Sequence, residues 1–286
     1  MNREVVLGTG AHRYRLRADW ARLPDGPPFG IVCSVAVDAA DRLFVYARGP
    51  RPVTMFGADG AYLGSWGAET VLDAHGIHVG PDGAVYLTDR DAHEVLKCAP
   101  DGRVLMRLGT RSEPSWQAPF NHPAGVAVAA DGEIYVSDGY ANARVHRFAA
   151  DGTFLGGWGR PGSGPGEFRT PHDVCVARDD RVFVCDRDNH RVQVFDRAGA
   201  FLEAWTDHFR PTSVAEDREG FLYVTDFISR LTVYRPDGGI ETRMRVAMDG
   251  GHSVWVDRHG HVYVAEIHVG RVDKYERIAP LGVACS

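Results

Sequence analysis

No run of apolar residues in this sequence approaches the roughly 20 that a membrane-spanning helix needs, so no helical membrane span and no membrane partner are expected. A basic excess is missing too. The 32 Lys and Arg face 38 Asp and Glu, a net charge of −6, which leaves no electrostatic footprint for nucleic acid. Cysteine is sparse and odd in number: Cys33, Cys98, Cys175, Cys185 and Cys285 share no metal-type or disulfide-type spacing. The opening Met-Asn-Arg-Glu leads into Gly and His with no apolar core or cleavage site of an export signal. On that reading the protein is expected in the cytoplasm, with its thiols reduced and serving as small buried hydrophobes. Helical periodicity of 3.6 residues is absent along the chain as well. The length of 286 residues allows a large core and, by itself, one or two domains.

What the chain has instead is a repeat. Six segments share a short alternating strand, an Asp-x-x-Gly turn, an aromatic-Val-x-Asp strand, a third alternating strand, and an Asp-Gly turn leading to Leu-x-x-Trp-Gly, with elements missing from individual copies. The first strands begin at Cys33, His75, Ala124, His172, Thr212 and His252, at successive offsets of 42, 49, 48, 40 and 40 residues. Four short strands per unit at this period indicate propeller blades rather than a sandwich. The expected fold is therefore all-β, a six-bladed β-propeller forming one domain over 1–286. Alternation around Tyr14–Arg17 lets the N-terminal segment supply the missing outer strand of the last blade, closing the ring and removing an open edge. The Gly/Pro-rich stretch 160–167 is an inter-blade loop on this reading.

In a propeller the first strand of each blade lies nearest the axis and the second runs antiparallel to it. The start of the first and the end of the second thus meet at one face. Histidine opens the first strands of blades two, four and six: His75, His172 and His252. Alternate blades are a third of a turn apart, so the three imidazoles should converge on the axis. Three histidines with positions left open suit a catalytic zinc or another divalent transition metal, each nitrogen about 2.0–2.1 Å from the ion. His78 falls within a strand, while His93, His190 and His268 fall in connections expected to be exposed. Fifteen residues beyond each opening position stand Arg48, Arg90, Gly139, Arg187, Phe227 and Ile267, with Tyr140 following Gly139. Guanidinium pairs with carboxylate as a rigid fork, so Arg48, Arg187 and Arg90 predict a small anionic substrate. Arg90 and Arg187 also have aspartates beside them in sequence, and for Arg90 that pairing is favoured; Arg48 has none.

These segments, "HGIHVGPDGAVYLTD", "SDGYANARV", "PHDVCV" and "GHSVWV" among them, resemble peptidyl-α-hydroxyglycine α-amidating lyase, a six-bladed propeller of NHL-repeat type. The resemblance runs through all six blades. It implies that His75, His172 and His252 hold a catalytic zinc, that Tyr140 is the base, and that Arg48 and Arg187 face the substrate. There are departures. Ser253 stands where the family's structural calcium takes an aspartate, so a structural Ca2+ is doubtful. Ala141 replaces a cysteine, and Gly250 a pocket methionine.

The expected function is a metal-dependent lyase that cleaves the N–C bond of an N-acyl-α-hydroxy acid, a carbinolamide, to an amide and glyoxylate or another aldehyde. Two other readings stand beside it: a lactonase-like metal hydrolase on the same site, and a non-enzymatic NHL interaction scaffold, since propellers host many functions.

Overall fold

A computed structural model describes residues 5–18, 20–24, 29–246 and 250–278; Cys285 lies outside them. Six antiparallel sheets form the ring, five of four strands and one of five. The innermost strands are Ile31–Val37, Ala74–Val79, Pro123–Val128, Pro171–Val176, Pro211–Glu216 and Gly251–Val256. Each packs against the innermost strands of both neighbouring blades, and the sixth returns to the first. This is the six-bladed NHL-type propeller that the repeat predicts. Among the described residues the one helical element is a single 3-10 turn, Arg187–Asn189.

The second strands sit between neighbouring blades with both faces covered, which is why they read as nearly continuous apolar runs. Their aromatic residues Phe44, Tyr86, Tyr135, Phe183, Tyr223 and Tyr263 are all buried and fill the layers between blades. Burial of that kind is worth about 1.5–3 kcal/mol per large side chain, so the inter-blade layers carry the stability. The Asp-x-x-Gly turns have a local cause. Asp217, for example, accepts the amides of Glu219 and Phe221 at 2.8 and 2.9 Å, and Gly220 takes the positive φ of +85° that follows.

Ring closure goes one strand further than the sequence suggests. His12–Arg17 pairs with Arg271–Arg277 as the fourth strand of the last blade, and Val6–Thr9 then adds a fifth outside it. The stretch 160–167 is a loop joining the outer strand Phe154–Trp158 to the innermost strand of blade four. The carboxylate of Glu167 holds it by accepting the amides of Ser163 and Gly164. Cys33, Cys98, Cys175 and Cys185 are all free. Burial pushes the Cys33 and Cys98 thiols up to about 11, so neither is a ready nucleophile.

A candidate metal centre on the propeller axis

The second position of each histidine-bearing strand falls where the ladder slips. Blade four pairs Pro171 with Asp186 and then Asp173 with Cys185, which leaves His172 as the extra residue. Blade six does the same around His252, between Gly251 and Ser253. In blade two the slip runs from Ala74 to Ile77 and takes in His75. A bulge of this kind re-aims a side chain that regular alternation would keep in the sheet. Here all three bulges turn their imidazoles into the channel.

Buried acids at the ends of the second strands hold the approach to these bulges. Asp89 accepts the amides of Leu72 and Asp73 at 2.7 and 2.8 Å, and Asp186 accepts that of Arg169 at 2.7 Å. The residue after each acid is tied back across the same gap: Arg90 N–H donates to Asp73 and Arg187 N–H to Thr170. Blade three does the same one residue later, where Tyr140 N–H donates to His122. The pre-strand loop and the post-strand residue therefore share one face.

The six opening residues Cys33, His75, Ala124, His172, Thr212 and His252 all line one axial space of about 20 Å³. His75, His172 and His252 are buried, with ligand nitrogens within 4.8 Å of one another. Their ring centroids are 4.8–5.0 Å apart. Each Nδ1 lies against the backbone carbonyl that opens the next blade: His75 on Ala124 at 2.8 Å, His172 on Thr212 at 2.7 Å and His252 on Cys33 at 2.7 Å. A carbonyl can only accept, so each Nδ1 carries the proton and each Nε2 presents a lone pair toward the axis. This is the outer support that orients histidine ligands at metal sites. Burial pushes His75 and His172 well below the ordinary imidazole range and His252 down to about 4. Neutral nitrogen donors around a space for one small occupant fit a divalent transition metal.

Glycine makes these contacts possible at one point. A Cβ on Gly76 would lie 2.5 Å from the Ala124 carbonyl that His75 uses. The same carbonyl also accepts the Thr88 hydroxyl at 2.7 Å.

Tyr140 reaches this centre. Its hydroxyl is 2.8 Å from His75 Nε2 and 3.1 Å from His172 Nε2, and it accepts from Arg187 Nη1 at 3.2 Å. Its ring lies between two guanidiniums, with Arg90 at 5.2 Å and Arg187 at 5.3 Å from the centroid, a cation–π arrangement on both faces. The arginines are held in turn. Asp73 takes Arg48 Nε at 2.8 Å and Arg90 Nε at 2.7 Å, and Arg48 also donates to the Ala74 carbonyl. Asp188 takes Arg187 at 3.2 Å and Arg210 at 2.9 Å. Two Arg–Asp–Arg bridges thus flank the tyrosine.

Sequence reasoning left Arg48 without an acidic partner because it looked only at chain neighbours. Asp73 supplies one from the neighbouring blade, and its place two residues before His75 on the same face was the available signal. Arg210 was missed because it precedes the innermost strand of blade five, outside the aligned positions. His93 is buried rather than exposed. Its Nδ1 accepts the His122 amide at 3.1 Å and the two rings pack edge to face. Ser253, in the place of the calcium aspartate, exchanges a hydrogen bond with Ser34 at 2.9 Å. Asp173, directly after the second histidine, is the carboxylate that lines the channel instead, along with a deeper cavity of about 280 Å³.

The NHL repeat pattern matches residues 120–148 and 168–195. NHL repeat-containing protein 3 of Homo sapiens is 34% identical over 92% of this chain and 84% of its own. A probable peptidyl-α-hydroxyglycine α-amidating lyase of Caenorhabditis elegans is 33% identical over 51% of this chain and 43% of its own. Among solved structures, streptogramin B lyase superposes with a TM-score of 0.69 at 13% identity, covering 92% of this chain and 97% of that one, a likeness of fold alone. The chain belongs to the NHL-repeat family, and its relatives there include proteins named as α-amidating lyases.

Proposed function

We propose that this protein is a metal-dependent lyase that splits the N–C bond of an N-acyl-α-hydroxy acid into an amide and glyoxylate or another aldehyde. The observation that carries the proposal is the Tyr140 hydroxyl seated against two histidine Nε2 atoms and one arginine. His75, His172 and His252 would hold the ion, with zinc the natural occupant of a three-imidazole site. When bound, it would supply Lewis acidity at the substrate's hydroxyl and carbonyl oxygens. Arg48, Arg187 and Arg90 would hold the substrate carboxylate, two of them already oriented by Asp73. Tyr140, as its phenolate, would take the hydroxyl proton while the carbon–oxygen double bond forms and the C–N bond breaks. The departing amide nitrogen would then be protonated, with Tyr140 the nearest returning donor. The names of the lyase relatives support the same reaction class.

The test combines metal analysis of the purified chain with an assay for glyoxylate release across N-acyl-α-hydroxyglycines. One ion per chain at this centre, lost in His172→Ala, together with glyoxylate release is the expected result. A metal-loaded protein that releases no aldehyde from any of them would leave an interaction scaffold as the better reading.

A further inference from the structure

We propose a second divalent-metal site, independent of the channel, on the seam where the N-terminal strand closes the ring. His12 opens the closing strand His12–Arg17. It is 1% exposed, and neither of its ring nitrogens has a hydrogen-bond partner. Leaving a buried imidazole without partners is costly, so a ligand for it is called for. Around it stand carboxylates of blade five. His12, Asp217 and Glu219 each bring one nitrogen or oxygen within 4.8 Å of the others. Glu241, from the outer strand Ile240–Arg245, lies 3.7 Å from Nδ1. Asp217 is buried and receives the Tyr223 hydroxyl at 2.9 Å. Arg277 holds Glu219 at 3.0 Å, and Arg235 lies 3.6 Å from Glu241. Three carboxylates against two guanidiniums leave the pocket negative around a neutral nitrogen donor.

One imidazole with carboxylate oxygens suits zinc or a similar divalent ion. Bond lengths near 2 Å require Glu219, 56% exposed, to give up its ion pair with Arg277 and swing inward to the ion. Such an ion would join the last-blade closing strand to the Asp217–Phe221 turn of blade five. It would act as a staple on the one seam that chain connectivity does not secure.

The experiment uses the full chain carrying His172→Ala, in which the channel ion is lost, stripped by chelator and titrated with Zn2+ alone. The expected result is one equivalent bound and a melting temperature raised by about 4 °C at a hundredfold excess over Kd. Adding His12→Gln should abolish both. Glu219→Gln, an exposed substitution that leaves the fold intact, should weaken binding at least tenfold, which covers the case of a His12 variant that folds poorly. Absence of Zn2+ binding in the His172→Ala chain, or unchanged binding in Glu219→Gln, would overturn the site. Neither outcome bears on the lyase reading, whose test is glyoxylate release.

Discussion

Replacing Tyr140 by Phe removes one oxygen and nothing else. The ring keeps its edge-to-face contact with His75 at 5.0 Å and stays between Arg90 and Arg187, so the fold should be preserved. What disappears is the group facing His75 Nε2, His172 Nε2 and Arg187 Nη1 at 2.8, 3.1 and 3.2 Å. With an ion on the imidazoles their lone pairs are satisfied without the phenol, so metal content should not change. The chemical step loses its proton acceptor, typically a factor of 10² to 10⁴. That equals roughly 2.7–5.4 kcal/mol of barrier at 1.36 kcal/mol per decade. The assay is single-turnover glyoxylate release from an N-acyl-α-hydroxyglycine, with zinc per chain measured on the same preparation. A variant turning over within threefold of wild type with its metal in place would refute the assignment. Loss of metal along with the rate would do so too, since the hydroxyl would then be supporting the ligands rather than moving a proton.

Arg48→Lys keeps the charge but loses the Nε that meets both Asp73 and the Ala74 carbonyl and the planar fork that a carboxylate would use; kcat/KM should fall at least tenfold, and unchanged steady-state kinetics would make this arginine merely structural. Gly139→Ala would place a Cβ 2.0 Å from the Pro171 carbonyl oxygen, beside His172; backbone must shift, so thermal melts should show a loss of about 2 kcal/mol or more, in the range of an overpacked core. Asp273, buried beside Glu266, has its carboxyl pushed up to about 7 by burial and by that neighbour. Its folded value lies above its unfolded one, so its contribution is full below about pH 4 and is lost as pH rises through 7. Asp273→Asn should therefore gain more on wild type at pH 8 than at pH 5 in denaturant titrations, and a pH-independent difference would contradict this.

The blade count, the innermost strands to within a residue or two, and the alternate-blade histidines were legible because a propeller repeats one local pattern. Position in the repeat is then position around the axis, and His75, His172 and His252 could be set on one face without coordinates. Tyr140 could be placed past its strand end for the same reason. Tertiary structure decided what depends on contacts between copies. The bulges that turn the histidines inward arise where each strand meets its partner, and the carbonyls that set their tautomers belong to the next blade. Asp73 reaches Arg48 across a blade boundary. Val6–Thr9 adds its strand only because the closed ring presents an edge to pair with. His12 shows the same division: alternation marks a strand over Tyr14–Arg17, but only the closed seam extends it to His12 and buries that residue among the carboxylates of blade five. Period-two patterning reports which face a residue takes, while partners across a seam are chosen by the packing of segments more than two hundred residues apart.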